Sequence, residues 1–360
     1  MILVWNPGSS SLKYKLYDLN KKNLILVKSG SCNRIGEEVK NHFEACEQLI
    51  GELGDNKKNI KTVGIRVVHS GGVLKDGEKI TSSTISKLEK VSKLAPLHNP
   101  KAIETLKTSM KLLKNVAHQA YFDTTYFDKL PDESKKLPLP IQLVEKYGIR
   151  RFGFHGISHE YAYNEAGLKK TDKTVSIHLG AGCSMTAICK GVPQETSMSF
   201  TPLDGLIMET RTGAIDPGVV IHLAKKIGIE ETEDVLNNQS GLRALTNTQG
   251  NMFDVLYLAG LKIEDPSYMP AKTLVKNAET FKETSLGLAI YIRQIQKYIG
   301  GYGAIIGGID AIVFTGAIAS GSTVIRNMIM ENIKFLKIKK IKIVKPDEEK
   351  AIAKKIAKIK

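Results

Sequence analysis

The chain has 360 residues, which at roughly 150 residues per domain corresponds to about two domains. Hydrophobic residues make up 42% of the sequence and charged residues 25%, and this balance excludes a disordered chain. The net charge of +15 leaves nucleic acid, a membrane surface and small anionic substrates open as partners. Between Lys334 and Lys360 there are eleven lysines and three acids, so the C-terminal tail carries a large share of that charge.

Signals for membrane insertion, export and disulfide formation are missing from the sequence. The most apolar stretch, Tyr302–Phe314, is short and contains Asp310, so no membrane span is predicted. No basic region precedes the apolar N-terminal run, so we expect no signal peptide. The four cysteines form neither a Cys-x-x-Cys pair nor zinc spacing with histidine, and we expect a reducing cytoplasm.

Short β-rich runs alternate with helical stretches along the chain, a pattern typical of an α/β fold. The sequence predicts, in chain order, strands at Ile2–Trp5, Leu12–Leu16, Thr62–His69, Ala120–Asp123, Thr174–His178, Ser184–Cys189 and Ala311–Thr315. Helices are predicted at Lys101–Leu113 and Phe281–Gly300, and a turn of small residues at Gly316–Gly321 precedes a helix that ends near Asn332. After Lys334 apolar and basic residues alternate, which favours a solvated strand and helix face.

Two hairpins of the sequence resemble each other. The first begins at Ile2 and the second at Thr174, and each has a strand, a turn of small residues and a returning strand. In the first, Leu12, Tyr14 and Leu16 alternate with lysines and are expected to face the core. The repeat predicts a duplicated fold in which each half offers a phosphate-facing turn to a shared cleft.

A glycine-rich turn after a buried strand can aim backbone N–H groups at phosphate oxygens. Asn6-x-Gly8-Ser9-Ser10-Ser11-x-Lys13 is such a turn, although alone it suits an ordinary hairpin equally well. Rarer motifs follow it: Arg-Val-Val-His-Ser-Gly-Gly at 66–72, Ala-Pro-Leu-His-Asn-Pro at 95–100, Phe-Asp-Thr at 122–124, Arg-Phe-Gly-Phe-His-Gly-x-Ser-His at 151–159, Phe-Thr-Pro-Leu at 200–203 and Thr-Arg-Thr-Gly-x-Ile-Asp-Pro at 210–217.

Together these motifs resemble the acetate kinases, a family of the sugar kinase, chaperone-ATPase and actin superfamily. The resemblance runs in order from Ile2 to the tail near Asp347–Ala353. It implies an α/β fold of two duplicated actin-like ATPase (ribonuclease H-like) domains with a cleft between them. One domain would comprise residues 1–149, completed by 331–360, and the other residues 150–330, with the nucleotide side and the dimer interface.

The resemblance also implies an activity. Acetate kinases transfer a phosphoryl group reversibly between ATP and acetate, giving acetyl phosphate and ADP, with magnesium or manganese as cofactor. Such a transfer depends on positioning and on neutralising the charge of an in-line transition state. The family is homodimeric, so we expect a homodimer whose partners are small substrates, with neither nucleic acid nor membrane involved.

Five residues match catalytic positions of the family. Arg66 and Arg211 match two arginines whose guanidinium groups bind carboxylate and phosphoryl oxygens bidentately. His155 matches the histidine that stabilises the transferring phosphoryl group, and Asp123 matches an aspartate that orients the substrate or the metal's water shell. Asn6 matches the residue beside the metal. The competing interpretations are structural: a core ion pair, a structural histidine, and turn or cap residues.

The resemblance implies two further groups of site residues. For acetate binding they are Arg66, Val68, Leu97, His98, Phe154 and Pro202, with ordinary core packing as the alternative for the apolar members. For nucleotide binding they are Ser9, Ser11, Lys13, His178, Leu179, Gly180, Ala181, Gly182, Asn251, Met252, Phe253, Gly316, Ala317, Ile318, Ala319 and Ser320.

The sequence departs from the family pattern on the nucleotide side. Ala181 stands where the phosphate loop has asparagine, and Asn251-Met252-Phe253 replaces an Asp-x-Arg that packs around adenosine. Ser320 stands where the family has a metal-associated glutamate, while Glu209 replaces a glycine and is a candidate for the missing carboxylate. Three alternatives therefore stay open: another phosphoryl partner such as pyrophosphate/phosphate or a different nucleotide, another short acyl substrate, and a degenerate relative that binds ligands without catalysis.

Overall fold

The computed structural model describes residues 1–21, 23–96 and 98–358, so Leu97 lies outside the described residues. The strands are β1 (Ile2–Pro7), β2 (Ser11–Asn20), β3 (Asn23–Asn33), β4 (Thr62–Val67), β5 (Glu78–Lys79), β6 (Ala117–Phe122), β7 (Thr174–Leu179), β8 (Cys183–Cys189), β9 (Val192–Thr196), β10 (Ala311–Thr315) and β11 (Lys340–Ile343).

The helices are α1 (His42–Glu52), α2 (Ser82–Val91), α3 (Asn99–Leu112), α4 (Asp132–Lys135), α5 (Ile141–Tyr147), α6 (Gly156–Glu165), α7 (Pro217–Ile227), α8 (Ile229–Asp234), α9 (Gly241–Thr246), α10 (Met252–Leu258), α11 (Ala278–Ile306), α12 (Ala317–Gly321), α13 (Thr323–Glu331) and α14 (Glu348–Ala357). Short 3-10 helices lie at Gly54–Asn59, Ser92–Leu94, Thr125–Lys129 and Lys334–Leu336, and a π-helical turn lies at Val235–Gln239.

The chain separates into two compact units. Unit 1 comprises Met1–Asp128, Phe154–Tyr161 and Asp347–Lys360, and unit 2 comprises Lys129–Gly153 and Ala162–Pro346. These bounds differ from the expected domains in the tail. Because β11 pairs in parallel with β10, the segment up to Pro346 belongs with unit 2, and only α14 joins unit 1.

Each unit holds one sheet, and the two sheets have the same strand arrangement. Among the described residues, the order is β3-β2-β1-β4-β6-β5 in unit 1 and β11-β10-β7-β8-β9 in unit 2. In unit 1 an antiparallel meander, β1 to β3, is extended by β4 and β6 in parallel. In unit 2 the meander β7 to β9 is extended by β10 and β11 in the same way.

The sheet of unit 1 is covered on both faces, which explains why β1 is an unbroken apolar run. Helix α3 packs on one face, where the indole Nε1 of Trp5 donates a hydrogen bond to Ser109 Oγ at 3.1 Å. Leu12, Tyr14 and Leu16 belong to the core of this face, as the alternation on β2 predicted. Helix α14 packs against β1, β2 and β4.

The C-terminal helix refines the expectation of a solvated strand and helix face. Although Ile341 and Ile343 on β11 are exposed as predicted, α14 buries Ala351, Ile352 and Ala353. A Cβ at Gly64 on β4 would lie 2.6 Å from Ile352, so this glycine lets the helix approach the sheet closely. The lysines of α14 therefore flank an apolar stripe that is part of the unit 1 core.

The turn predicted at Gly316–Gly321 is also corrected in part, because its last five residues form α12. Gly316 has φ +82°, so the chain turns at this residue before the helix begins. Arg326 then donates hydrogen bonds to the carbonyl oxygens of Ala319 and Ser320. Such bonds satisfy the carbonyls that a short helix leaves unpaired at its C-terminal end.

The long helix α11 has 29 residues and carries the central packing of unit 2. It starts with a capping box between Asn277 and Thr280 and ends at Gly307, which has φ +70°. Neither this helix nor any other in the described part of the chain is long and apolar enough to cross a membrane.

Candidate active site

Arg66 and Asp123 form an ion pair at one end of the unit 1 sheet. Because β4 and β6 are parallel neighbours, their carboxyl ends meet at the same edge, and Asp123 N donates to Val67 O. The Arg66 guanidinium donates through Nη2 to Asp123 Oδ2 at 2.7 Å and through Nε to both carboxylate oxygens. Burial lowers the pKa of Arg66, but the facing carboxylate of Asp123 prevails and raises it above its ordinary value. The Arg66 guanidinium therefore stays charged.

Asn6 extends this pair to a second carboxylate. Asn6 lies near the end of β1, which is the parallel neighbour of β4. Arg66 Nη1 donates to Asn6 Oδ1 at 3.0 Å, and Asn6 Nδ2 donates to Glu349 Oε1 at 2.7 Å. The amide is thus oriented by a cation on one side and an anion on the other, which favours the predicted site role of Asn6 over a plain turn residue.

Glu349 is a candidate site residue that the sequence analysis did not name. It lies in the first turn of α14 and is 6% exposed. Lys15 on β2 holds the start of this helix, since its Nζ lies 2.8 Å from Asp347 Oδ1 and 3.5 Å from Glu349 Oε2. The only signal in the sequence is the acidic run Asp-Glu-Glu, which is typical of a helix start.

His155 precedes a helix that begins against Asp123. Its φ of +57° is unusual for a residue with a side chain, and such conformations often mark functional turns. The next residue, Gly156, donates its N–H to Asp123 O at 2.9 Å, and a Cβ there would lie 2.3 Å from that oxygen. Only glycine permits this approach. The residue that follows His155 is therefore held against the backbone of Asp123.

The β1–β2 turn lies at the same end of the unit 1 sheet, because Asn6 and Lys13 are cross-strand partners. Gly8 N donates to Ser11 O at 2.7 Å, and the ring Nε2 of buried His42 donates to Gly8 O at 2.9 Å. Ser9 and Lys13 remain exposed, so their polar groups are available to a ligand.

The residues expected to bind acetate are split between the units. In unit 1, buried Phe154 packs edge-on against His69 with ring centroids 5.6 Å apart, and partly exposed Val68 precedes that histidine. His98 directly precedes α3. The side chain of the adjacent Asn99 accepts a hydrogen bond from His69 N and donates one to His69 O. Asn99 is thus a second residue that the sequence analysis missed. Pro202 lies in unit 2.

Arg211 lies in unit 2 in a different environment from that of Arg66. Its Nη1 lies 3.5 Å from Pro202 O and 3.7 Å from Met208 Sδ. Burial lowers the pKa of Arg211, and only the neighbouring Cys183 thiol acts against this. Within the described residues no carboxylate forms an ion pair with Arg211. A half-buried cation with no counter-charge suits the binding of an anion.

Two turns expected to bind the nucleotide are neighbours in unit 2. Gly180 N donates to Gly182 O across the β7–β8 turn, and a Cβ at Gly316 would lie 2.3 Å from Leu179 O. Ser320 lies in α12, where its Oγ donates to Gly316 O at 2.8 Å. The structure therefore brings together the following predicted residues: His178, Leu179, Gly180, Ala181, Gly182, Gly316, Ala317, Ile318, Ala319 and Ser320.

Glu209 connects the third nucleotide-side segment to these turns. Its N–H donates to Ala181 O at 3.2 Å, and a Cβ at Gly250 would lie 2.3 Å from Glu209 O. The next residue, Asn251, caps α10 by accepting a hydrogen bond from Phe253 N at 2.8 Å. Burial, and then repulsion by Asp254, raises the pKa of Glu209. Met252, the first residue of that helix, is buried.

Among the described residues, no cluster of three or more His, Cys, Asp or Glu side chains could hold a metal ion. Magnesium nevertheless keeps several water ligands and takes few from the protein. The oxygen atoms of Glu349 and Asn6 supply donors of the kind that magnesium prefers, so the donor set fits this ion.

Comparisons with known proteins identify the family of this chain. The sequence profile of the acetokinase family matches residues 1–358. An acetate kinase of Coprothermobacter proteolyticus is 35% identical over 94% of this chain and 88% of its own length. A crystal structure of Porphyromonas gingivalis acetate kinase superposes with a TM-score of 0.85 at 27% identity, covering 99% of both chains. A propionate kinase from Francisella tularensis gives a TM-score of 0.83 at 28% identity, covering 98% of this chain and 97% of its own. The chain therefore belongs to the acetokinase family.

Proposed function

We propose that this protein is an acetate kinase, a phosphotransferase that moves a phosphoryl group reversibly between ATP and acetate. The observation that carries the proposal is the pair of differently held arginines. Arg66 is fixed by Asp123 and Asn6, whereas Arg211 has no carboxylate partner among the described residues. Membership of the acetokinase family supports the same reaction.

In the forward reaction a carboxylate oxygen of acetate attacks the γ-phosphorus of ATP. The new bond joins that oxygen to phosphorus, and the bond from phosphorus to the oxygen bridging to the β-phosphate breaks, so ADP leaves with the electron pair. Negative charge spreads over the phosphoryl oxygens in the transition state. Arg211 and His155 would donate hydrogen bonds to these oxygens, and Arg66, fixed by Asp123, would orient the acetate.

Magnesium, or manganese, is proposed as the cofactor. Glu349 and Asn6 would hold it, with water completing its coordination. When bound, the ion neutralises phosphate charge during transfer. Asp123 is bonded to Arg66 and would order the surrounding water rather than carry a proton. Glu209 is a second candidate for the carboxylate missing at Ser320; an unchanged magnesium dependence in Glu209→Gly would reject that role.

The acyl substrate is proposed to be short. Val68, Phe154 and Pro202 are the apolar residues assigned to its methyl group, and Leu97 was predicted with them. A relative named as a propionate kinase has a similar structure, which makes propionate the natural competitor for acetate. Comparing kcat/KM for acetate, propionate and butyrate tests this part of the proposal.

The phosphoryl partner has a specific rival. The nucleotide-side segments around Ala181, Glu209 and Asn251 are neighbours in unit 2, yet their side chains differ from the family pattern. Phosphate/pyrophosphate is therefore the second candidate partner. Hydroxyls and lysine on the β1–β2 turn (Ser9, Ser11, Lys13) would add phosphate contacts for either partner.

A panel of acceptors tests the function. Purified protein receives acetyl phosphate and magnesium with ADP, GDP or orthophosphate, and both acetate release and the phosphorylated product are measured. Rapid ATP formation at ordinary ADP concentrations supports the proposal, and pyrophosphate formation supports the rival. Failure of every acceptor, with ligand binding retained, would instead identify a non-catalytic relative.

We also propose a homodimer, formed through unit 2. Every side chain of α7 is at least partly exposed, although the helix is rich in Val, Ile and Leu. Ile221 is 56% and Ile229 77% exposed, and exposed apolar patches of this kind mark protein interfaces. Light scattering should give twice the chain mass for the wild type and for Ile25→Lys on β3. The double variant Ile221→Lys/Ile229→Lys should be monomeric, and a dimer of this variant would reject the interface.

The finer architecture is part of the same proposal. The repeated strand order supports two duplicated actin-like, ribonuclease H-like domains, and we propose a cytoplasmic location. The domain limits predicted from the sequence, 1–149 with 331–360 and 150–330, remain predictions. Limited proteolysis with and without nucleotide would locate the connections that become protected when the substrate is bound.

A further inference from the structure

Lys355 has two carboxylate partners near the end of α14. Its Nζ lies 2.5 Å from Asp76 Oδ2 and 2.7 Å from Glu160 Oε2, and its side chain is only 27% exposed. Burial lowers the pKa of Lys355, but the two carboxylates raise it overall, so the ammonium group stays charged. Removing one partner of such a sheltered ion pair costs more than removing one partner of an exposed pair.

Asp76 connects this ammonium group to the segment that carries Asp123. Its Oδ1 accepts hydrogen bonds from Phe122 N at 2.9 Å and from Thr125 Oγ1 at 2.5 Å. These donors lie on either side of Asp123 in the sequence. The adjacent Gly77 N also donates to Ala120 O on β6. Asp76 therefore fixes the backbone on both sides of the aspartate that holds Arg66.

Glu160 connects the same ammonium group to the segment that carries His155. It lies on α6, the helix that begins at Gly156, immediately after His155. Since an α-helix behaves as a rigid rod over this length, holding Glu160 restrains the direction of the first turn. That first turn is bonded to Asp123 through Gly156 N.

The third connection, from Lys355 to Glu349, runs along the backbone, because both residues lie on α14. The six-residue separation corresponds to about 9 Å along the axis. One ammonium group thus joins the segments that carry Asp123, His155 and Glu349, and all of them lie in unit 1.

We propose that Lys355 is a positioning residue for phosphoryl transfer, which acts by holding these three segments in register. This inference rests on the proposed function. Catalytic groups need placement within about 0.5 Å, and a displacement of about 1 Å can cost up to 10²-fold in rate. Lys355 therefore affects turnover rather than the ground-state binding of acetate or nucleotide.

Steady-state kinetics of three variants test the proposal. Lys355→Met should lower kcat about tenfold or more, while KM for acetate and for ATP stays within about twofold. Lys355→Arg should restore most of the loss, because a guanidinium group can also bridge two carboxylates. The control is Lys107→Met, which breaks an exposed ion pair with Glu89 in the same unit and should leave kcat unchanged.

Hydrogen exchange followed by mass spectrometry gives a second readout that needs no activity. In Lys355→Met, peptides covering 120–130, 155–165 and 348–357 should all exchange faster than in the wild type. Faster exchange in the last peptide alone would mean that Lys355 stabilises only its own helix, and the proposal would be wrong. If Lys355→Met does not fold, Glu160→Gln replaces it, because this variant keeps the ion pair between Lys355 and Asp76. Glu160→Gln should accelerate exchange chiefly in peptides 155–165 and 348–357.

The outcomes separate this inference from the proposed function. An inactive wild-type protein refutes the proposed function, while the exchange pattern still measures the connection through Lys355. An active wild type with an unchanged kcat in Lys355→Met overturns the inference alone. A loss of kcat that Lys355→Arg does not restore also overturns it.

Discussion

The two arginines expected at the active site are held in opposite ways. Arg66 in unit 1 binds a buried carboxylate and an amide, so its charge is already compensated in the protein. Among the described residues, the Arg211 guanidinium in unit 2 has polar contacts to a carbonyl oxygen and a thioether sulfur, and burial lowers its pKa. The difference teaches that Arg66 is a fixed part of a scaffold, whereas Arg211 is the arginine that we propose to receive its counter-charge from a ligand.

The largest effect on stability is expected from removing the compensated arginine. Arg66→Met leaves Asp123, which is 1% exposed, without its cation. Loss of one partner of such a pair costs about 3–5 kcal/mol in the free energy of unfolding. Urea unfolding followed by circular dichroism measures it. A loss below about 1 kcal/mol would mean that Arg66 stabilises the fold no more than Arg211 does, and the two arginines would not differ in the way described.

Arg211→Met should affect turnover without destabilising the fold. Removing one donor to the transition state lowers kcat by about 10²–10³-fold, or about 2.7–4 kcal/mol. The free energy of unfolding should stay constant or rise, because a half-buried cation without a partner is lost. Arg243→Met, at an exposed arginine of the same unit, serves as the control and should behave as the wild type. Comparable losses of stability in both variants would contradict the interpretation of Arg211.

Glu349→Gln tests whether the unit 1 network extends to the metal. The buried carboxylate next to Asn6 should contribute to magnesium affinity, so half-saturation should need about tenfold more ion, or about 1.4 kcal/mol. Binding of manganese, followed by electron paramagnetic resonance, measures this without turnover. Glu47→Gln, at an exposed position of unit 1, is the control. Equal manganese affinities in both variants would remove Glu349 from the site.

Glu209→Gln should give the smallest effect. Burial and Asp254 raise the pKa of Glu209 above its ordinary 4.5, so ionisation opposes folding once the pH exceeds that value. The variant should therefore be more stable at pH 7, by less than about 1 kcal/mol, and the gain should vanish below about pH 4.5. Glu230→Gln, at an exposed position, should give no gain at either pH. A gain that persists at pH 4 would point to packing instead.

The sequence was informative wherever one segment carried its own pattern. The strand Ala311–Thr315 has the predicted bounds, because a short β-branched run ends at a glycine with positive φ. The motif Phe-Asp-Thr placed Asp123 at a strand end, and the parallel neighbour β4 placed Arg66 beside it. Local periodicity and strand adjacency were sufficient for these residues.

The sequence was uninformative where the site depends on contacts between distant segments. Glu349 lies 343 positions from Asn6, in a lysine-rich tail whose periodicity indicates only an amphipathic surface. Asn99 was missed because its two bonds go to the backbone of His69, which no side-chain pattern records. The tail was predicted to present a solvated helix face, and its pattern did not show that three consecutive residues on the other side of the helix are buried in the unit 1 core.

The most direct test of the contrast measures how much a phosphoryl ligand stabilises each form of the protein. A ligand that binds only the folded state raises Tm by an amount that grows with the logarithm of the ratio of its concentration to Kd. Acetyl phosphate at saturating concentration should raise the Tm of the wild type and of Arg243→Met equally, and it should raise that of Arg211→Met little or not at all. An equal rise in Arg211→Met would contradict the assignment of Arg211 as the cation that the substrate completes.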